Sequence, residues 1–249
     1  MSQKPDPHIS AEVKINLTIL VLGAMVMILN ETALSVALPT IMADFGIPAT
    51  SAQWLLTGFL LTMGVVIPTT GFLMDKFTTR QIFLASSGVF LAGTVLAALA
   101  PAFGVLLVGR VFQAAGTALM IPTLMTVAMT LVPPQRRGSV MGIISVVISV
   151  APALGPTVGG FVLSMSSWHV IFWTMVPLLG LICAAGYFRL VNVGDKRDTP
   201  LDFPSVVLSV FAFGGLVYAV SSLENMLEGD GLVAVSYTHL RAHETPEHL

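Results

Sequence analysis

The sequence predicts an all-α, polytopic membrane protein, from its long apolar segments, their lack of strand-like alternation and the distribution of its basic residues. The chain is 55% hydrophobic and only 10% charged. Seven segments are each about as long as the ~20 residues that a helix needs to cross the hydrocarbon core. None alternates in polarity every second residue, which excludes a β-barrel. The segments are residues 15–38, 52–73, 81–100, 102–132, 139–165, 170–188 and 203–223.

Basic residues predict the orientation of these crossings. Nine of the eleven Lys and Arg residues fall before the first segment or in every second connection after it, whereas the connections around Asp44, Pro101 and His169 have none. Because basic residues are retained on the cytoplasmic side, we expect a cytoplasmic amino terminus in a multi-pass protein of the plasma (inner) membrane. The nine residues are Lys4, Lys14, Lys76, Arg80, Arg136, Arg137, Arg189, Lys196 and Arg197.

The domain organisation follows from the segments. We expect a cytoplasmic tail (1–14), a six-helix unit (15–190), a charged cytoplasmic linker (191–202), a seventh transmembrane helix (203–223) and the start of an outside loop or a further helix (224–235). The polar residues 236–249 resemble translated sequencing-adapter DNA, and we expect them not to be native.

Cys183 is the only cysteine, so no metal site can be built on cysteine. The net charge of −2 gives no indication of a nucleic-acid partner.

Two charged residues lie deep within predicted crossings, Glu31 in the first and Arg110 in the fourth. An ionisable residue at that depth is a functional hypothesis, because holding it there costs energy. Counting about 1.5 Å per residue from the predicted helix ends places both roughly 10–12 Å below the outer edge, so we expect them to be near each other. A carboxyl in such a place can load and release a proton, whereas a static salt bridge that fixes helix packing is the alternative.

Neighbouring polar residues extend this hypothesis. Asn30 and Thr32 flank Glu31, and Gln113 lies one helical turn from Arg110 on the same face. These three residues could complete a polar cluster at a substrate site, or they could only hydrogen-bond one helix to another.

Two further groups of residues suggest moving surfaces. Gly71 would let another helix approach the end of the second crossing, next to Lys76. Asp75 could meet the amino terminus of a partner helix or an arginine such as Arg80 as a charge-assisted latch; a plain turn with basic residues is the alternative. Ala151, Gly155 and Gly159 recur every four residues and predict a close-packing face, which ordinary packing glycines would also give. Pro156 removes a backbone donor and permits a bend there.

Taken in order, four motifs resemble those of one transporter family. They are Leu29-Asn30-Glu31-Thr32 through Ala37-Leu38-Pro39, the Gly71–Arg80 stretch, Arg110 with Gln113 and Gly116, and Gly155-Pro156 with Gly159-Gly160. Up to about Val235 the chain resembles the amino-terminal half of a major facilitator superfamily transporter, most closely the fourteen-helix drug:proton antiporters.

The resemblance implies a function and the parts that perform it. It implies proton-coupled efflux of hydrophobic or cationic drugs by alternating access between two six-helix halves, with the proton gradient as energy source and no cofactor. Each half is expected to contain a three-plus-three inverted relation, and the Gly71 and Gly155 surfaces are expected to work against a carboxy-terminal half that this chain lacks. The fragment alone is therefore not expected to transport, and the seventh helix resembles the first of two that join the halves.

Some positions depart from the common family form. Asparagine 30 stands where aspartate is common, and Thr78-Thr79 stands where a Gly-Arg pair is common. The sequence Asn30-Glu31-Thr32 resembles that of the lincomycin-resistance type of exporter, which would place the titrating acid at Glu31.

Other functional classes have less support. An exporter or importer of another small solute in the same superfamily remains an alternative, as does a receptor-like seven-helix protein, although the predicted cytoplasmic amino terminus opposes a receptor. A retinal pump needs a lysine in the seventh helix, and 203–223 contains none. Neither a Gly-x-Ser-x-Gly nor a His-Glu-x-x-His signature occurs, so we do not expect an enzyme.

The predicted orientation can be tested by labelling from one side. In a Cys183→Ser background, Asp44→Cys should react with a membrane-impermeant maleimide in intact cells, and Arg136→Cys should react only after the cells are opened. Equal labelling of both positions in intact cells would contradict the topology.

Overall fold

The structure of the chain is a computed structural model that describes residues 9–192 and three isolated positions, 208, 211 and 215. Apart from those three positions, the predicted seventh crossing lies outside this description, as do residues 1–8, the linker from residue 193 onward and residues 224–249. All statements about the fold refer to residues 9–192.

Within those residues the chain is helical and contains no strand, which confirms the predicted all-α class. A short helix, α2, leads directly into α3, and the two form one span, so six spans are long and apolar enough to cross a membrane. The helices are α1 (Ala11–Phe45), α2 (Ala49–Ala52), α3 (Trp54–Lys76), α4 (Thr79–Ala98), α5 (Phe103–Leu131), α6 (Pro134–Met165) and α7 (His169–Arg189).

Local capping explains where the helices begin and end. Ser10 caps α1 by accepting a hydrogen bond from the Val13 backbone N–H at 3.3 Å. Thr78 and Gln81 form a reciprocal capping box that starts α4 only two residues after α3 ends. Gly46 adopts a left-handed conformation with φ of 62° and ends α1, because glycine occupies that region without a Cβ penalty. The sequence-based end at residue 38 was therefore seven residues too early.

Contacts at the two ends of the bundle show how the connections are arranged. At one end, the Asn16 side chain of α1 accepts a hydrogen bond from the Val191 backbone N–H, which follows α7, at 3.1 Å. At the other end, Trp168 Nε1, just before α7, donates to Asp44 Oδ2, near the end of α1, at 2.9 Å. Basic and basic-free connections therefore lie at opposite ends of the α1–α7 pair, as the charge pattern predicted.

The helix pairing has an internal two-fold pattern. The most extensive pairs are α4 with α5, α1 with α6, α3 with α5, and α4 with α7. A two-fold relation between the first three spans and the last three would exchange α1 with α5, α3 with α6, and α4 with α7. Under this exchange the α1–α6 pair becomes the α5–α3 pair, and both pairs are in contact. The same exchange converts α4–α5 into α7–α1, which are also in contact. This is the pattern that a three-plus-three inverted relation produces, and it places α1 and α5 at the centre.

Glycines bring α4 and α5 into backbone contact. A Cβ at Gly93 would lie 2.6 Å from the Gly109 carbonyl oxygen, and a Cβ at Gly116 would lie 2.7 Å from the Ser86 carbonyl oxygen. Such small residues let helices approach where lipid supplies no hydrophobic drive. Because the two backbones are this close, the Ser86 hydroxyl can donate a hydrogen bond to the Gly116 carbonyl oxygen, at 2.7 Å.

The small-residue face of α6 has a different partner from the predicted one. Gly155 and Gly159 are buried against α1, where a Cβ at Gly155 would collide with the Thr32 side chain and one at Gly159 would lie 2.6 Å from the Ala33 carbonyl oxygen. The expectation that this face works against an absent half was therefore wrong, because α1 already occupies it. The next residue in each pair is not packed in this way: Pro156 is exposed, and a Cβ at Gly160 would meet no atom within 4 Å.

The α4–α5 contact can be tested with a pair of identical substitutions in α4. Gly93→Ala should lower the free energy of unfolding by roughly 1–3 kcal/mol, because the added methyl group meets backbone atoms that cannot move aside. Gly88→Ala, where the methyl group meets open space, should change it by no more than about 0.5 kcal/mol. Thermal unfolding in lipid nanodiscs measures both, and equal effects would contradict the close approach.

Candidate functional site

Arg110 is fully buried in the centre of the bundle and is held by two helices. Its Nε donates to the Leu55 carbonyl oxygen at 3.3 Å, and its guanidinium lies 4.2 Å from the centre of the Phe59 ring, both on α3. Its Nη1 donates to Gln113 Oε1, one turn along α5, at 2.9 Å. A planar guanidinium can make such contacts in several fixed directions at once, which a lysine ammonium cannot.

Gln113 connects Arg110 to two more helices. Its Nε2 donates to Asn30 Oδ1 of α1 at 3.1 Å and to Thr94 Oγ1 of α4 at 2.9 Å. Asn30, Thr94 and Gln113 are all fully buried. We call Arg110, Gln113, Asn30 and Thr94 the polar network; through it four helices share one set of hydrogen bonds.

Two hydrogen-bond donors of the polar network are not used within the described residues. Asn30 Nδ2 and Arg110 Nη2 are buried and have no hydrogen-bond partner among the described residues. An unsatisfied buried donor is costly, more so when it is charged. The network can therefore still donate to an oxygen acceptor.

Glu31 lies next to Asn30 on α1 but outside the polar network. It is half-buried and, among the described residues, makes no side-chain hydrogen bond and no salt bridge. It is nevertheless within electrostatic range of Arg110. Of the two alternatives drawn from the sequence, the static salt bridge is not formed among the described residues.

Thr32 does not join the polar network, which was one of the two alternatives that the sequence left open for it. Its hydroxyl donates to the backbone carbonyl oxygens of Ile28 and Leu29, one turn earlier in α1. Its side chain faces Gly155 of α6, so its role is in helix packing. Asn30 and Gln113, by contrast, are in direct contact as the sequence suggested.

The residues of the Gly71–Arg80 stretch lie at the end of α3 and the start of α4. Gly71, Asp75 and Lys76 are exposed, and a Cβ at Gly71 would meet nothing within 4 Å. The proposed Asp75–Arg80 latch is absent from the described part of the chain. The Arg80 guanidinium lies 4.7 Å from the Tyr187 ring centre of α7, and its backbone N–H donates to Asn192 Oδ1 at 3.3 Å.

Sequence reasoning missed three parts of the site: Thr94, the Leu55 carbonyl and the Phe59 ring. Thr94 is one hydroxyl among several in apolar helices, and nothing in its neighbours distinguishes it. Its place beside Gln113 depends on the close approach at Gly93 and Gly109, which only three-dimensional packing reveals.

The described residues also contain no group of three or more His, Cys, Asp or Glu that could hold a metal ion.

Comparison with known proteins identifies the family. The sequence profile of the Major Facilitator Superfamily matches residues 20–236. The chain belongs to the major facilitator superfamily. With six spans in its described residues, this superfamily member is a multi-pass membrane protein.

Curated relatives include two proteins from Bacillus subtilis (strain 168). The chain is 46% identical over 205 residues to the uncharacterized MFS-type transporter YcnB, covering 82% of this chain and 43% of that protein. It is 42% identical over 212 residues to the lincomycin resistance protein LmrB, covering 85% of this chain and 44% of that protein. The chain thus spans less than half the length of these relatives.

A solved structure supports the superfamily fold. The human organic anion transporter MFSD10 (TETRAN) matches with a TM-score of 0.65 at 17% identity, over 80% of this chain and 53% of that chain. At that identity the match concerns the arrangement of helices alone.

The contacts of Arg110 predict that charge alone cannot replace it. Arg110→Lys keeps the charge but loses the simultaneous bonds to Leu55 and Gln113, so we expect it to lower the free energy of unfolding by roughly 1–3 kcal/mol. Arg136→Lys, at an exposed position, is the matched control and should change it by no more than about 0.5 kcal/mol. Thermal unfolding in nanodiscs that gave equal losses would argue against the fixed guanidinium.

Proposed function

We propose that the chain forms the amino-terminal half of a proton-coupled drug exporter in which Glu31 carries the proton. The observation that carries the proposal is the half-buried Glu31 carboxyl, which has no hydrogen bond or salt bridge among the described residues and lies within electrostatic range of the buried Arg110. An intramembrane acid with a nearby cation is the usual arrangement for a proton relay in a transporter.

The arrangement allows protonation without breaking the bundle. A carboxylate locked in a salt bridge would have to break that bridge to bind a proton, whereas Glu31 has no such bond to lose. Arg110 stays fixed by Leu55, Phe59 and Gln113 whichever charge Glu31 has. The pair can therefore change its net charge while the polar network remains intact.

The same carboxyl suggests the class of substrate. When ionised, Glu31 could attract a cationic or strongly dipolar drug, and proton binding would release it, which gives the exchange that antiport requires. Relatives named for lincomycin resistance and multidrug resistance support a drug as the substrate, and we propose that it is hydrophobic or cationic. We further propose a plasma-membrane location with a cytoplasmic amino terminus, the proton gradient as the energy source, and transport rather than catalysis as the activity.

Alternating access would require a second half. Superfamily transporters bind their substrate between two six-helix halves that rock around it. Here α1 and α5 carry Glu31 and Arg110 at the centre of one half. The drug would therefore lie between this half and a carboxy-terminal half, which we propose as the chain's missing partner.

The decisive experiment compares two identical substitutions on α1 in a complete transporter that carries this half. Glu31→Gln should abolish drug efflux driven by an imposed pH gradient, because the amide cannot bind the coupled proton, while the protein still folds. Glu12→Gln, in the exposed first turn of the same helix, should leave efflux at the wild-type rate. Efflux is measured in proteoliposomes with matched protein levels.

Two results would refute the proposal. One is undiminished proton release on drug addition to the Glu31→Gln protein, which would remove Glu31 from coupling. The other is wild-type efflux that persists unchanged when the pH gradient is collapsed, which would remove the proton as coupling ion.

A further inference from the structure

We propose that Thr94 is a positioning residue of this site: it fixes which way the Gln113 amide faces, and so holds the Arg110 guanidinium in place beside Glu31. The consequence for transport rests on the proposed function, whereas the orienting role can be tested without transport. Thr94 belongs to α4, which contributes no other side chain to the polar network.

The first step concerns the proton of the Thr94 hydroxyl. Thr94 Oγ1 donates to the Phe90 carbonyl oxygen, one turn earlier in α4, at 2.8 Å. A hydroxyl has only one proton to donate, so toward any other group this oxygen can only accept. Its neighbour Gln113 must therefore present the amide nitrogen, and Nε2 lies 2.9 Å from Thr94 Oγ1.

The second step follows from the two ends of the amide. With Nε2 directed to Thr94, Oε1 is directed to Arg110 Nη1 and accepts its hydrogen bond at 2.9 Å. In the reverse orientation the amide NH₂ would face the guanidinium, and both groups are donors only. In that orientation Arg110 would lose its acceptor on α5. Thr94 Oγ1 would face Gln113 Oε1, and its hydroxyl has no second proton to donate to that oxygen.

Asn30 cannot supply the same constraint. It accepts from Gln113 Nε2 through Oδ1 at 3.1 Å, but its own side chain is an amide with a donor at the other end. If Gln113 turned over, Asn30 could turn with it and donate to the displaced Oε1. Among the two acceptors of Gln113 Nε2, only Thr94, with its proton already used, distinguishes the two ends of the amide, and it favours the same orientation as the donor-only guanidinium of Arg110.

Packing keeps Thr94 at its place. The adjacent Gly93 lies against the backbone of α5, where a Cβ would come within 2.8 Å of the Gln113 backbone nitrogen. Thr94 is fully buried, and a β-branched side chain in a helix has few rotamers available. The acceptor is therefore held at a fixed position opposite Gln113.

Three substitutions separate orientation from mere packing. Thr94→Val keeps the shape and removes the acceptor, whereas Thr94→Ser keeps the acceptor. Thr117→Val is the matched control: Thr117 is also buried one turn from Gln113, but its hydroxyl donates to the Gln113 backbone carbonyl at 3.0 Å and makes no hydrogen bond to the side-chain amide. Both valine variants lose one hydroxyl, so a general loss of stability affects them alike.

The first readout uses the 249-residue chain itself in lipid nanodiscs. In solid-state NMR of ¹⁵N-glutamine-labelled protein, the side-chain signal of Gln113 is assigned by its loss in Gln113→Glu. Gln113 should give a single side-chain amide resonance in the wild type, in Thr94→Ser and in Thr117→Val. Thr94→Val should show a second resonance or a displaced one. An unchanged single resonance in Thr94→Val would overturn the inference, whatever the chain transports.

The second readout is the pH profile of efflux in the complete transporter. Thr94→Val should move its midpoint by more than about half a pH unit, because a loosened guanidinium interacts differently with Glu31, while Thr94→Ser and Thr117→Val keep the wild-type midpoint. A wild-type profile in Thr94→Val, with Glu31→Gln inactive, would refute the positioning role and leave the proposed function standing. Unimpaired proton coupling in Glu31→Gln would refute the proposed function, and the NMR result would still decide the orientation of Gln113.

Discussion

A guanidinium buried at membrane depth has to be surrounded by acceptors, and the rest of this six-span bundle is consistent with that requirement. Arg110 uses the Leu55 carbonyl, the Phe59 ring and the Gln113 amide, which belong to α3 and α5. Gln113 passes the constraint on to α1 and α4 through Asn30 and Thr94. One charge thereby fixes the relative positions of four of the six spans.

The glycines of α4 and α5 make this arrangement possible. Side chains as short as threonine and asparagine can meet Gln113 only if the helix backbones are close, and Gly93 and Gly109 permit backbone contact between α4 and α5. Gly155 and Gly159 of α6 have the corresponding role against α1, next to Glu31. Small residues and buried polar residues therefore act together, since the first set the distances at which the second can bond.

Much of the fold could be predicted from the sequence, because the bilayer requires long apolar helices and basic residues mark alternate connections. The ends were harder. The α1 helix continues through Pro39 to Phe45, and α6 begins at Pro134 within a polar, basic stretch that hydropathy assigned to a loop. Both errors have one cause: capping and hydrogen bonding, rather than hydropathy, determine where a helix ends.

The site was predictable in its charges but not in its contacts. Glu31, Arg110, Asn30 and Gln113 stood out because polar groups in apolar helices need an explanation. Thr94 did not, because its importance depends on which helix lies opposite. The pairing of Asp75 with Arg80 and the assignment of the Gly155 face failed for the same reason, since spacing along the chain does not show that Tyr187 and α1 are the actual neighbours.

The central claim is that the polar network joins α1 to α5, and a double-mutant cycle between Asn30 and Gln113 tests it most directly. Asn30→Leu, Gln113→Leu and the double variant are compared by thermal unfolding in nanodiscs. If the two side chains bond to each other, the double variant should lose clearly less stability than the sum of the single losses, because the second substitution removes a partner already lost. Strictly additive losses would show that the two residues act independently and would contradict the account.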